Sequence, residues 1–192
     1  MKLEIRKGLS RKGNGGAHHH TAVTKPSDAE LFIFRTHLEN LSRQSKNARI
    51  LIIGSSPELR ELAARLNIHA TVVANDLEVI ERTTKLMGKK SSIEEWLEGD
   101  IIALPLKKAS FDMIFGDHVL SDVSPFNKER FYARMKEILK KDGSVVIRSL
   151  VFKKTARPFE NRVSKYFKIV EKKFAKEGVF AEYFPIYSMK PK

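Results

Sequence analysis

Residues 49–54 read RILIIG, and Ser55-Ser56-Pro57-Glu58 follows them directly. A short, β-branched, apolar run with no polar alternation suits a strand buried on both faces, which is the environment of a central strand in a parallel sheet. Ser56 then stands where a helix cap belongs and Pro57 at the first helical position. A helix to about Leu66 is predicted, with Leu59, Leu62, Ala63 and Leu66 on one face. Strand, glycine and helix make the first unit of an alternating fold.

The same alternation continues downstream. Ala70 to Ala74 (ATVVA) predicts a strand, Glu78 to Met87 a helix, and Ser91 to Leu97 a connection containing a short strand before Gly99-Asp100. Phe111 to Gly116 (FDMIFG) predicts a strand, Asn127 to Leu139 a helix packed by Phe126 and Tyr132, and Lys141-Asp142-Gly143 a turn into a strand over Ser144 to Phe152. Phe159 to Lys176 reads as a last helix with Val163, Phe167, Val170 and Phe174 on its apolar face, leaving room for one final strand such as Phe180 to Ile186. Upstream, Ser27 and Glu30 form a capping box before a helix to about Gln44 carrying Leu31, Phe32, Phe34, Leu38 and Leu41. Strands alternating with helices specify an α/β fold, a doubly wound, mainly parallel sheet with helices on both faces.

Composition sets the outer bounds. The 192 residues, 42% hydrophobic and 31% charged, fit one soluble globular domain over residues 28–192 behind a basic, glycine-containing flexible arm over 1–27. No stretch approaches the ~20 apolar residues that a bilayer crossing requires, so no membrane partner is expected. The N-terminus shows no apolar core and no small-residue cleavage site, which makes a cytoplasmic location the default expectation. Without cysteine there is no disulfide framework, no thiolate metal site and no cysteine nucleophile. His18, His19 and His20 alternate faces in an extended segment, so no metal site is expected there.

The net charge of +13 is unevenly placed: residues 1–27 hold six basic and one acidic side chain, 28–152 hold 19 and 18, and 153–192 hold 11 and four. Any polyanion is therefore drawn to the ends of the chain and not to its middle. RNA is the partner such ends would take, although the lysines after residue 160 also fit an ordinary solvated helix face.

Four pieces in order, ILIIGSSPEL, VVANDLEVI, EGDIIALPL and SFDMIFGDHVL with LKKDGSVVIR after it, resemble the class I S-adenosylmethionine-dependent methyltransferases over residues 49 to about 152. The resemblance implies a Rossmann-like sheet of order 3-2-1-4-5 with at most one or two further strands, and S-adenosylmethionine as cofactor. In an open sheet of that kind, ligands bind beyond the carboxyl ends of the strands where the order reverses. Gly54, Ser55 and Ser56 would then face the same crevice as Asp117 and His118. Gly54 allows a tight turn and close approach of a ligand. The family's next two glycine positions are Ser56 and Glu58 here, and a carboxylate in the first helical turn disfavours a pyrophosphate. That counts against NAD and nucleoside triphosphates.

The resemblance further implies an acid for the ribose hydroxyls, for which Asp76 qualifies from a shifted turn, although Asp76 also suits a helix cap. Asp100 corresponds to the acid that accepts from the adenine amino group, and Ile101 to a backbone contact beside it. Asp117 and His118 occupy the place of residues near the transferred methyl group. His118 has the pKa class of a base for a hydroxyl or protonated amine, and equally suits a hydrogen-bonded strand end.

Missing cysteine removes the covalent route to carbon methylation of pyrimidines, and Asp117-His118-Val119-Leu120 is not the proline-aromatic box of amino-nitrogen nucleic-acid methylases. Asp117 and Arg148 only faintly suggest the tetrad of ribose methylases. The expected activity is methyl transfer to a small-molecule acceptor. RNA methylation through the basic ends, and a non-catalytic member that binds S-adenosylmethionine or RNA, are the alternatives.

Overall fold

A computed structural model describes residues 25–149, 153–174 and 185–192, without the side chains of 153–155. The arm as far as residue 24, its histidines and most of the expected strand over 180–186 lie outside these residues. Helix α1 (Asp28–Gln44) opens on the capping box: Ser27 Oγ accepts from the Glu30 amide at 3.3 Å, and Glu30 Oε2 accepts from the Ser27 amide at 2.8 Å. Ser27→Ala is expected to cost about 1 kcal/mol in urea unfolding with an unchanged denaturant slope. No measurable loss would show that the box does not hold the helix start.

The elements then follow as β1 (Arg49–Ile53), α2 (Pro57–Arg65), β2 (His69–Ala74), α3 (Leu77–Thr84), β3 (Glu94–Glu98), β4 (Phe111–Asp117), α4 (Val119–Asp122), α5 (Lys128–Ile138), β5 (Leu139–Arg148), α6 (Lys153–Val163), β6 (Phe167–Lys173) and β7 (Ile186–Pro191). They build a seven-stranded sheet of order β3-β2-β1-β4-β5-β7-β6. The first five strands are parallel, and β7 runs antiparallel to both β5 and β6. The order reverses between β1 and β4.

The RILIIG strand is apolar throughout because successive residues serve two cores. Leu51 packs with Ile114, Val145, Phe131 and Met135 on one face, while Ile50 and Ile52 pack with Phe34, Leu38, Leu59 and Phe115 on the other. The edge strand β3 is polar instead. It is locked by fully buried Arg60 of α2, which donates from Nη2 to Glu94 Oε1 at 2.7 Å and from Nη1 to the Ile80 carbonyl at 3.1 Å.

Three expectations are corrected. The helix over 159–176 ends at Val163, and Phe167–Lys173 forms β6. Phe167 and Ile169 point into the core with period two, while Val170, unpaired at a bulge between Ile169 and Glu171, places an apolar side chain on the exposed face and so imitates a helical spacing with Val163 and Phe167. β6 pairs with β7 (Ile186–Pro191), so two strands follow α6 where the sequence left room for one.

The Lys141–Gly143 turn lies within β5 as an irregularity that moves the register from Phe111↔Leu139 to Met113↔Ser144. Gly143 permits it, since a Cβ there would stand 2.9 Å from the Asp112 carbonyl oxygen and 2.8 Å from Leu139 Cδ1. Lastly, Tyr132 is buried but Phe126, in a 3-10 turn before α5, is 93% exposed and does not pack the helix. Among the described residues no helix is long and apolar enough to cross a membrane.

Candidate active site

Strand register brings the sequence candidates together at the reversal of strand order. Ile53 pairs with Gly116, so Gly54 and Asp117 extend adjacent strands about 4.8 Å apart. Gly54 has φ +92°, the left-handed region, and a Cβ built there meets nothing within 4 Å. Its amide donates to the Val73 carbonyl at 2.8 Å, which turns the chain away and leaves the space beyond β1 open. Ser55 and Ser56 are buried behind it. Ser56 makes no side-chain cap, contrary to expectation; its hydroxyl donates to Glu58 Oε2 at 3.2 Å, because a carboxylate two residues on is the better acceptor than the helix amides are donors.

Along the same edge of the sheet lie the two acids assigned to the nucleoside. Asp76 caps α3, its Oδ1 accepting from the Glu78 amide at 2.8 Å, and the side chain is exposed. Asp100 follows Gly99 after β3, and its Oδ1 accepts from the Ile102 amide at 2.9 Å. In both residues Oδ2 accepts no hydrogen bond among the described residues, so capping does not exhaust either carboxylate. Ile101 is buried beside Asp100 and anchors that turn in the core.

The end of β4 holds the densest electrostatics. Asp117 pairs in register with Arg148 of β5, and the guanidinium grips it through Nε to Oδ1 at 2.6 Å and Nη2 to Oδ2 at 3.3 Å. Nη1 of the same arginine donates to Glu30 Oε2 at 2.9 Å, joining the first turn of α1 to the strand ends. All three side chains are at least 94% buried. Glu30 Oε1 accepts no hydrogen bond among the described residues. His118 follows with φ 57° and ψ 3°, an unusual conformation for a non-glycine residue and one that recurs at functional sites. Its amide donates to the Arg148 carbonyl at 3.0 Å, and its Nε2 lies 3.9 Å from Asp117 Oδ1.

Burial pushes Asp117 up to about 6 against the opposing pull of Arg148, with Glu30 and Glu58 adding to the rise. The folded chain therefore binds a proton that the unfolded chain, titrating near 3.8, has already lost. The stability this contributes is complete below about pH 4 and disappears as pH rises through about 6. Asp117→Asn is expected to flatten that fall, whose slope is at most about 1.4 kcal/mol per pH unit, in urea unfolding curves taken at each pH. An unchanged pH profile in the variant would assign the proton elsewhere.

Sequence patterns did not reveal Glu30, which is already accounted for as the third residue of a capping box. Arg148 carried two faint signals, a charge inside the apolar strand predicted over 144–152 and its pairing with Asp117 in a ribose-methylase-like set. Among the described residues no cluster of three metal-ligating side chains occurs.

Residues 53–147, from the end of β1 to the end of β5, match the family model described as a methyltransferase domain. The N-methyltransferase NodS from Bradyrhizobium japonicum, solved with S-adenosylhomocysteine, superposes with a TM-score of 0.67 at 16% identity, over 86% of this chain and 88% of that one. The 1,6-didemethyltoxoflavin-N1-methyltransferase of Burkholderia thailandensis, with S-adenosylhomocysteine bound, gives 0.66 at 12% identity over 86% and 80%. A TehB-like methyltransferase from Corynebacterium glutamicum gives 0.61 at 16% over 86% and 100%. At these identities the likeness is one of fold. No curated protein matches the chain in sequence.

Residues 53–147 thus form a methyltransferase domain of the S-adenosylmethionine-dependent, Rossmann-like kind, and S-adenosylmethionine is its cofactor. The open space at Gly54 and the two carboxylates along the β2 and β3 ends fit that ligand.

Proposed function

We propose that the acceptor is a small molecule, methylated in the crevice between β1 and β4. The observation that supports this is enclosure. Glu30, 118 residues from Arg148 in sequence, fastens the start of α1 to the strand ends, so the chain's own helix stands beside the methyl-transfer position. A structural neighbour solved with 1,6-didemethyltoxoflavin acts on such a molecule.

When bound, S-adenosylmethionine supplies a methyl group on a sulfonium whose sulfur leaves with the bonding electron pair. The protein then has mainly to align and to manage a proton. In this reading Gly54, Ser55 and Ser56 leave room for the amino-acid moiety, Asp76 accepts from the ribose, and Asp100 accepts from the adenine amino group beside Ile101. Asp117 and His118 face the acceptor, with His118 taking a proton where the acceptor carries one.

Calorimetric titration tests the site. Saturable binding of S-adenosylmethionine, weakened about tenfold or more by Asp100→Ala, with no binding of NADH, is the expected result. Failure of the intact, folded protein to bind S-adenosylmethionine would overturn the site. Binding without turnover on any acceptor would favour the non-catalytic reading.

The RNA reading draws on one observation. Lys168 stands directly opposite Lys190 across β6 and β7, both exposed, and opposed like charges are unfavourable without a counter-anion. It requires RNA affinity that falls steeply with salt and is reduced by Lys168→Glu.

A further inference from the structure

We propose that Asp117 exchanges a proton for the positive charge of the cofactor: binding of S-adenosylmethionine expels a proton from the Glu30–Arg148–Asp117 cluster, and binding of S-adenosylhomocysteine does not. The inference rests on the cofactor site above and adds a function for a cluster that alignment of the cofactor does not require.

Three carboxylates, Glu30 from α1, Glu58 from α2 and Asp117 from β4, act on one another around one guanidinium, that of Arg148 from β5. Lys25 is 3.8 Å from Glu58, but it is 61% exposed and screened by water. His118, neutral or charged, lies 3.9 Å from Asp117 at its own strand end. Fully ionised, the buried trio of Glu30, Asp117 and Arg148 carries an excess negative charge with no water to solvate it. Such a group relieves itself by binding a proton. Asp117 is where it does so, its carboxyl titrating at about 6.

A cation placed in the crevice offers the alternative relief. The open space at Gly54 adjoins Asp117 across one strand spacing, about 4.8 Å. S-adenosylmethionine carries a sulfonium, an ammonium and a carboxylate and is a net cation; S-adenosylhomocysteine has lost the sulfonium and is neutral overall. Only the former can replace the proton.

The consequence for methyl transfer follows by balance. The acceptor's lone pair forms the new bond to the methyl carbon, the carbon–sulfur pair passes to sulfur, and the sulfonium charge vanishes. The acceptor's proton then needs a base just as Asp117 regains its affinity for one. Asp117 takes it, directly or through His118, and the cluster returns to the state it held before cofactor bound.

Proton linkage can be measured without any acceptor. The full chain is titrated calorimetrically at pH 6 with S-adenosylmethionine and with S-adenosylhomocysteine, each in two buffers of very different ionisation enthalpy. Release of about half a proton per S-adenosylmethionine is expected, the fraction protonated at a pH equal to the pKa, with none for S-adenosylhomocysteine. Glu30→Gln should reduce the release, and Asp117→Asn should abolish it while S-adenosylmethionine still binds. Equal proton linkage for the two ligands, or release that persists in Asp117→Asn, would overturn the exchange and leave the cofactor site standing. No binding of S-adenosylmethionine to the folded chain would overturn both.

Discussion

Arg148→Met is expected to destabilise the folded chain by about 3–5 kcal/mol at pH 7, among the largest effects of any single substitution. The arginine is 1% exposed and grips two buried carboxylates, Glu30 and Asp117. Removing it does not merely delete hydrogen bonds; it leaves two buried carboxylates without a counter-charge, each of which must then stay ionised unsolvated or be driven to take up a proton. The methionine keeps most of the apolar contact of the arginine stem, so the loss reports charge more than volume. The loss should shrink at pH 5, where Asp117, which titrates at about 6, is mostly protonated. Combining Arg148→Met with Glu30→Gln and Asp117→Asn should recover most of the stability, because a buried trio made neutral together leaves no unpaired charge. Urea unfolding of the single and triple variants at both pH values decides the matter. A single variant as stable as the parent, or a triple variant no better than the single, would remove the cluster from the structural account.

The first five strands were legible as elements because each βα unit carries its own local signals, while their order followed from the resemblance. RILIIG is apolar on both faces, Pro57 opens α2, and Asp76 sits where α3 begins. The C-terminal half of the sheet was not legible for a reason of the same kind. Val170 is apolar on the exposed face of β6, so Val163, Phe167 and Val170 fall at helical intervals although the first belongs to α6 and the others to a strand. Local patterning cannot separate those cases; pairing with β7 does. The site divides similarly. Gly54, Asp100, Asp117 and His118 are marked by their positions after strands, whereas Glu30 reaches Arg148 only through tertiary structure. A residue already satisfied by one local role shows no sign in the sequence of a second.

Gly54→Leu is the other large effect, and it acts on binding. At φ +92° any L-residue is strained, at a cost of about 1–2 kcal/mol, and the folded chain should lose about that much stability. The Cβ itself adds no packing penalty, because outside the neighbouring residues nothing stands within 4 Å of it. The side chain projects instead into the space that the cofactor needs beside Asp117. S-adenosylmethionine affinity is therefore expected to fall by about 100-fold or more, nearly 3 kcal/mol, out of proportion to the stability change. Gly54→Ala separates the two causes: it carries the same backbone strain with a single methyl group in the crevice, so it should share most of the stability loss and less of the binding loss. If the two variants bind S-adenosylmethionine alike, backbone strain at the β1 turn governs the site; if leucine alone abolishes binding, the volume beyond Gly54 is the cofactor's own.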